Sequence, residues 1–189
     1  DEGMTKLFQT NAILSGFNKH SLTNSKVTVH NKDAYMWAKE TTEKFDVVVI
    51  DFPDPSNYSL GKLYSLNFYK TLQQLLHPNA VVVVQTTSPY FAPKSFWCIN
   101  KTVGQIFPKV DAYHAYVPSF GEWGFTIAAN SFEIQFNQVN RRVTGLRFYD
   151  YEFSKLNYFS KDMVSKDIEI NRLDNQILVR YFDEEWGKL

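Results

Sequence analysis

The chain has 189 residues, of which 44% are hydrophobic, and its 20 basic and 20 acidic side chains give zero formal net charge. This length and composition predict about one globular domain with a buried core, and exclude disordered and collagen-like classes. The neutral balance excludes recruitment of nucleic acid or anionic lipid by a global field. The single cysteine, Cys98, excludes an internal disulfide framework, and the four histidines lack ligand spacing, so no metal site is predicted.

The first predicted elements are a helix over residues 5–17 and a half-buried strand over residues 26–30. In the predicted strand, Val27 and Val29 alternate with polar residues. Asp33 then opens a short helix, because aspartate is a preferred N-cap residue. These elements precede the most apolar part of the chain.

Residues 45–50 and 80–84 hold continuous runs of β-branched residues, which are typical of strands buried on both faces of a parallel sheet. A helix with apolar residues at helical spacing lies between them. A turn at residues 77–79 is predicted to close this βαβ unit. The second run is far shorter than the ~20 apolar residues that span a bilayer, so the chain is predicted to be soluble.

A helix near residues 94–107 and strands near residues 110–117 and 124–129 continue the alternation. Helices that alternate with strands predict an α/β fold with a mainly parallel sheet and right-handed crossovers. The tail, residues 133–189, is more charged and aromatic, and we expect it to be a C-terminal extension packed on the same domain.

The segment Asp51-Phe52-Pro53-Asp54-Pro55 directly follows a predicted buried strand. Parallel sheets bind ligands beyond the carboxyl ends of their strands, and the prolines stiffen the loop that carries the two acids. Two interpretations stay open. Either the carboxylates converge on a ligand, or Asp51 caps a turn and Asp54 forms an Asx turn.

This segment and its surroundings resemble the spermidine synthase family of aminopropyltransferases in the order and spacing of several motifs. The tail that ends in Glu185-Trp186 is similar to a bacterial branch predicted to carry a membrane-embedded N-terminal half. The segments that carry the resemblance are residues 27–34, 45–55, 63–65, 67–69, Gln85, residues 117–125 and residues 171–176.

The resemblance implies a Rossmann-like sheet of the class I methyltransferase type. The family's Gly-rich loop and ribose-binding acid have no counterpart here, so we expect residues 1–132 to be a partial catalytic domain lacking its first two strands. Phe120 stands where soluble members carry tyrosine. Glu122 is a candidate replacement for that polar contact, with a solvated loop carboxylate as the alternative.

The implied reaction transfers an aminopropyl group from decarboxylated S-adenosylmethionine to a diamine such as putrescine, giving spermidine and methylthioadenosine. Deprotonating a primary amine at neutral pH costs roughly 4–5 kcal/mol, so a carboxylate base is useful, and Asp51 is the catalytic candidate. The candidates for substrate binding are Asp54, Gln85, Phe120, Glu122, Tyr64 and Trp123. The candidates for binding the nucleoside co-substrate are Asp33, Ala34, Asp1 and Pro55.

Two other functions stay open: a methyltransferase of the same fold and a non-catalytic polyamine-binding domain. We expect no permanently bound cofactor. The expected partners are small-molecule polyamine and nucleoside substrates, without nucleic acid, and a homodimer stays open. The expected location is the cytoplasm, or the cytoplasmic face of the inner membrane if the missing N-terminal region is membrane-embedded. The isolated chain is predicted to have little or no activity.

Overall fold

A computed structural model describes residues 1–134, 143–146 and 156–187. The chain divides into two compact units, Asp1–Glu40 and Thr41–Leu189. Part of the predicted C-terminal extension, residues 135–142, 147–155 and 188–189, lies outside the described residues. The four strands of the described sheet all belong to the second unit.

The first unit is helical, with α1 (Glu2–Thr10), α2 (Ala12–Phe17) and α3 (Ala34–Glu40). The predicted helix over residues 5–17 is interrupted at Asn11, whose backbone is extended. The Asn11 side chain accepts hydrogen bonds from the N–H groups of Ile13 and Leu14, so it caps α2. One predicted helix is therefore two.

The predicted strand over residues 26–30 is wrong, because this segment contains no strand in the structure. Val27 and Val29 are 42% and 36% exposed, so the alternation does not mark a buried face. By contrast, Asp33 opens α3 as predicted, and its Oδ1 accepts a hydrogen bond of 3.0 Å from the N–H of Met36.

The second unit contains the predicted alternation of strands and helices, and the types of its main elements are confirmed. The predicted turn at residues 77–79 is wrong, because these residues lie inside a strand that begins at Leu76. The elements are β1 (Phe45–Ile50), α4 (Tyr58–Gly61), α5 (Leu66–Gln74), β2 (Leu76–Gln85), α6 (Pro93–Val103), β3 (Lys109–Val117), β4 (Gly121–Ala129) and α7 (Ile177–Trp186).

The described sheet has the strand order β1-β2-β4-β3. β1 pairs with β2 in parallel, whereas β4 is antiparallel to both β2 and β3. The α/β class is confirmed, but the sheet of these four strands is mixed rather than mainly parallel. The reason is the short loop between β3 and β4, since a short connection can join only antiparallel neighbours.

The two β-branched strands differ in their burial. Val82 and Val84 of β2 are fully buried, as expected for a central strand. β1 lies at the edge of the described sheet, where Val47 and Val49 are 64% and 72% exposed, so the prediction of burial on both faces is wrong for β1 in this structure.

Asn171 links the helices of the second unit and is fully buried. Its side-chain Nδ2 donates to the carbonyl of Gly61 at 2.9 Å, and its Oδ1 accepts from the N–H of Leu178 at 3.3 Å. Its backbone N–H donates to the hydroxyl of Thr102 at 2.9 Å, and its carbonyl accepts from the N–H of Leu66 at 2.9 Å. One buried residue thus joins α4, α5, α6 and α7.

We predict that Asn171→Ala lowers the free energy of unfolding by about 2–6 kcal/mol, because two buried backbone groups lose their side-chain partners at about 1–3 kcal/mol each. Urea unfolding measures this change. Asn67→Ala, at an exposed position of α5, is the control and should shift the free energy by less than about 0.5 kcal/mol. Equal effects of the two substitutions would contradict the prediction.

Candidate functional site

The register of β1 on β2 places the candidate acids beside Gln85. Ile50 pairs with Val84 in the parallel ladder, so Asp51 and Gln85 follow at adjacent carboxyl ends of the two strands. A cavity of about 650 Å³ opens there, lined by both Asp51 and Asp54 and by Gln85. The structure therefore brings the two carboxylates to one cavity.

A chain of two hydrogen bonds fixes the orientation of the Gln85 amide. The backbone N–H of Thr87 donates to Gln85 Oε1 at 2.7 Å, and Gln85 Nε2 donates to Asp54 Oδ1 at 3.1 Å. Because a backbone N–H can only donate, the amide oxygen must face Thr87 and the amide NH₂ must face Asp54. Thr87 adopts a positive φ of 61°, a conformation that β-branched residues rarely adopt.

The environment of Asp54 disfavours its negative charge. Burial raises the pKa of Asp54 above its ordinary value, the hydrogen bond from Gln85 opposes this effect, and the charge of Asp51 raises the pKa further. The carboxylate of Asp54 uses Gln85 rather than the local turn as its hydrogen-bond donor. The Asx-turn interpretation is therefore wrong for Asp54 in this structure.

Tyr64 supports the acidic loop and does not line the cavity. Its side chain is fully buried, and its hydroxyl lies 3.0 Å from the carbonyl of Phe52 and 3.2 Å from that of Pro53, both of which can accept its proton. Burial, with the charges of Asp54 and Asp51 adding to it, raises the pKa of Tyr64 far above its usual range, so the phenol remains a donor. The predicted substrate contact of Tyr64 stays a prediction.

Aromatic rings form much of the remaining cavity wall. Phe120 and Trp123, both predicted, line it together with Phe91 and Trp186. The ring centroids are 5.1 Å apart for Phe120 and Trp123, 6.5 Å for Trp123 and Trp186, and 5.9 Å for Phe91 and Trp186. Such a wall suits the methylene chain and the cationic ends of an alkyl amine.

A second cavity of about 500 Å³ shares part of this lining. It borders Asp51, Gln85, Phe120 and Trp123, and it is otherwise lined mainly by apolar and aromatic side chains of the sheet. The shared residues therefore border both cavities. The first cavity is lined by the carboxylates of Asp51 and Asp54, and the second by that of Asp51.

Glu122 and Pro55 line neither cavity. The Glu122 carboxylate lies 2.8 Å from Nδ1 of His114 on β3, and its predicted substrate contact stays a prediction. Pro55 is buried within its loop.

The remaining predicted residues lie in the first unit. Asp1 and Asp33 cap α1 and α3, and Ala34 is the first residue of α3. Their predicted contacts with a nucleoside stay predictions.

Five residues that line the first cavity were not among the predicted site residues: Phe52, Pro53, Phe91, Ser119 and Trp186. Phe52 and Pro53 stand between the two predicted acids. Ser119 directly precedes the predicted Phe120, so its place in the same loop could have predicted it. Phe91 and Trp186 carry no local motif, and only the packing of α7 near the loop after β2 brings their rings together.

The chain matches one known protein family over most of its length. A family model described as the spermine/spermidine synthase domain matches residues 4–140. The chain belongs to this family. The resemblance read from the motifs at residues 27–34, 45–55 and 117–125 is therefore confirmed.

Two relatives in this family are named polyamine aminopropyltransferases. One, from Leptospira interrogans, is 47% identical over 190 residues, and the match covers 100% of this chain and 38% of the relative. Another, from Ralstonia nicotianae, is 44% identical over 187 residues, covering 98% of this chain and 36% of the relative. The chain thus spans somewhat more than a third of the length of these relatives.

A crystal structure of spermidine synthase in complex with the transition state analogue AdoDATO is similar to this chain with a TM-score of 0.54 and 17% sequence identity. The similarity covers 96% of this chain and 60% of that protein. It confirms the predicted Rossmann-like fold class of the family.

The raised pKa of Asp54 predicts a stability cost at neutral pH. A carboxyl group whose pKa is raised on folding binds more protons in the folded state, so wild-type stability falls as pH rises from the ordinary pKa of 3.8 through the folded value. Asp54→Asn removes this titration. We expect the variant to be more stable than wild type at pH 7, with the difference shrinking toward pH 4, as measured by thermal unfolding across pH.

Asp46→Asn is the control for this comparison, because it removes one negative charge from an exposed position on β1. A stability difference between wild type and Asp54→Asn that stays constant with pH would contradict a raised pKa of Asp54.

We predict that Tyr64→Phe loosens the acidic loop, because the loop carbonyls of Phe52 and Pro53 lose their buried donor. The expected loss in the free energy of unfolding is about 1 kcal/mol. Hydrogen exchange of the loop amides should also become faster in the variant, while exchange in β2 stays slow. Unchanged loop exchange would show that the hydroxyl does not hold the loop.

Proposed function

We propose that the protein carrying this chain transfers an aminopropyl group from decarboxylated S-adenosylmethionine to a diamine such as putrescine. The observation that carries the proposal is the joint lining of one cavity by Asp51, Asp54 and aromatic rings. Membership of the spermine/spermidine synthase family and the names of the relatives support it. The products are methylthioadenosine and spermidine.

Asp51 is proposed as the base that frees the attacking amine. Its carboxylate is exposed to the cavity, and no hydrogen bond to it is found within the described residues. An ammonium group at neutral pH has no lone pair, and removing its proton costs roughly 4–5 kcal/mol. The proton passes to Asp51 as the amine nitrogen attacks the aminopropyl carbon bonded to sulfur. The carbon–sulfur bond breaks, and methylthioadenosine leaves with the electron pair.

Asp54 is proposed to hold an ammonium group of the acceptor. At an effective dielectric of about 20, unit charges about 4 Å apart attract by about 4 kcal/mol before desolvation. Gln85 supports this role because its amide keeps Asp54 Oδ1 in a fixed place. A bound cation would favour the ionised form of Asp54, which burial and Asp51 disfavour in the free protein.

The second cavity supports a two-substrate reaction. It shares Asp51 and Gln85 with the first, so a donor and an acceptor can lie on either side of the proposed base. Holding two reactants in line supplies a large part of the rate enhancement for such transfers. Binding of the nucleoside part by Asp1, Asp33, Ala34 and Pro55 belongs to the proposal and rests on the family motifs.

The wider assembly is also part of the proposal. Packing of α7 on α6 supports an extension over residues 133–189 that packs on the domain containing α6. The proposed partial catalytic domain over residues 1–132 rests on the family motifs. None of the helices in the described ranges is long and apolar enough to cross a membrane. Attachment to the cytoplasmic face through an N-terminal region is inferred from the bacterial branch that the tail resembles, and a homodimer from the family as a whole.

The test is an assay of the complete protein with decarboxylated S-adenosylmethionine and a series of diamines. We expect methylthioadenosine release with at least one diamine. Asp51→Asn should lower kcat by at least about 100-fold, because general base catalysis contributes about 10²–10⁴-fold. Asp54→Asn should mainly raise the KM for the amine.

Asp46→Asn, on β1 five residues before Asp51 and outside both cavities, is the matched control and should keep wild-type kinetics. Absence of methylthioadenosine with every amine would overturn the proposal. A methylated product would assign a methyltransferase, and amine binding without turnover would assign a binding domain.

A further inference from the structure

α7 brings a side chain to the cavity from the far end of the chain. Trp186 is the last residue of α7, and its ring lines the same cavity as Asp51 and Asp54. It lies between Phe91 and Trp123, with ring centroids 5.9 Å and 6.5 Å away. The ring centroid of Phe182, one turn earlier in α7, lies 5.9 Å from that of Trp186. The indole is therefore packed from several sides.

Glu185 fixes the end of α7 to the beginning of α6. One carboxylate oxygen accepts a hydrogen bond from the N–H of Lys94 at 2.7 Å. The other accepts from the N–H and the hydroxyl of Ser95 at 3.0 Å and 2.7 Å. The first turn of a helix has N–H groups without helical partners and a positive dipole end, so a carboxylate there is stabilising.

The other end of α7 is fixed as well. Ile177 and Leu178 are buried, and the N–H of Leu178 donates to the side chain of Asn171. A helix held at both ends gives Trp186 a defined place, which a ring on an unsupported loop would not have. In contrast, Phe91 and Phe120 on the loops of the cavity are 42% and 59% exposed.

We propose that Trp186 is a specificity-determining wall of the amine-acceptor cavity and that Glu185 is the positioning residue that holds it there. The proposal rests on the proposed function and deepens it, because it makes a residue of α7 determine which length of diamine the protein prefers. The carboxylates attract any ammonium group, so charge alone does not distinguish diamines of different length. A fixed aromatic face contacts the methylene chain and favours a cation at one distance.

The first experiment measures kinetics of the complete protein with 1,3-diaminopropane, putrescine and cadaverine. We expect Trp186→Ala to raise the KM of the preferred diamine about tenfold or more and Trp186→Phe about threefold. The change in kcat should be less than about threefold, because Trp186 does not hold the reacting proton. The ratio of kcat/KM among the three diamines should also change by about threefold or more.

Trp97→Phe is the matched control. Trp97 lies on α6 outside both cavities, and its indole N–H donates to the carbonyl of Met163 at 2.7 Å. The control should keep the diamine preference within about twofold, whatever it does to stability. If Trp186→Phe and Trp186→Ala fold and leave both the KM and the preference of wild type, the proposal is overturned.

The positioning role of Glu185 is tested by rescue. Glu185→Ala should reproduce the KM rise of Trp186→Phe or exceed it, since α7 loses its hold on the first turn of α6. Glu185→Gln keeps an amide oxygen that can accept from Lys94 or Ser95, so it should restore most of the wild-type KM. Equal kinetics for the alanine and glutamine variants would refute the positioning role.

A binding measurement separates this inference from the proposed reaction. If the wild-type protein releases no methylthioadenosine with any amine, the proposed reaction falls. Calorimetric titration of putrescine into wild type and Trp186→Ala then decides the role of the wall. Binding at least about fivefold weaker in the variant supports Trp186 as an amine wall, whereas equal binding, or none to wild type, overturns it.

Discussion

The parallel pairing of β1 with β2 is the constraint on which the site depends. Parallel strands end at the same edge of a sheet, and the pairing of Ile50 with Val84 fixes which residues meet there. A shift of one residue along this ladder would separate Asp51 and Asp54 from Gln85 and turn the valines of β1 to the opposite face. The position of the cavity therefore depends first on the register of β1 and β2, and only then on side-chain contacts.

The site holds the carboxyl group of Asp54 in an environment that disfavours its negative charge. Asp54 is partly removed from water beside a second carboxylate, which raises its pKa, and the amide of Gln85 offsets only part of that effect. Thr87, with its positive φ, and the buried hydroxyl of Tyr64 hold the groups around it. A strained backbone conformation such as that of Thr87 persists only where surrounding contacts hold it, and such conformations cluster at functional sites.

The C-terminal part of the second unit completes the cavity. Asn171 joins four helices in the core, and Glu185 joins α7 to the first turn of α6. These contacts link residues far apart in sequence, so neither a helical period nor a local motif could predict them. Phe91 and Trp186 were missed for this reason, and so were the contacts of the Tyr64 hydroxyl with the loop carbonyls of Phe52 and Pro53.

The sequence by itself determined the α/β class, the apolar strands at residues 45–50 and 80–84, the acidic loop that follows the first of them and the family. These are local properties, because β-branched runs, prolines and short motifs act over a few residues. Only the tertiary structure decided that β4 pairs antiparallel with β2, that Glu122 contacts His114, and that Trp186 joins the cavity. Pairing direction and wall composition depend on contacts between distant segments, and their energies are fixed only when those segments pack together.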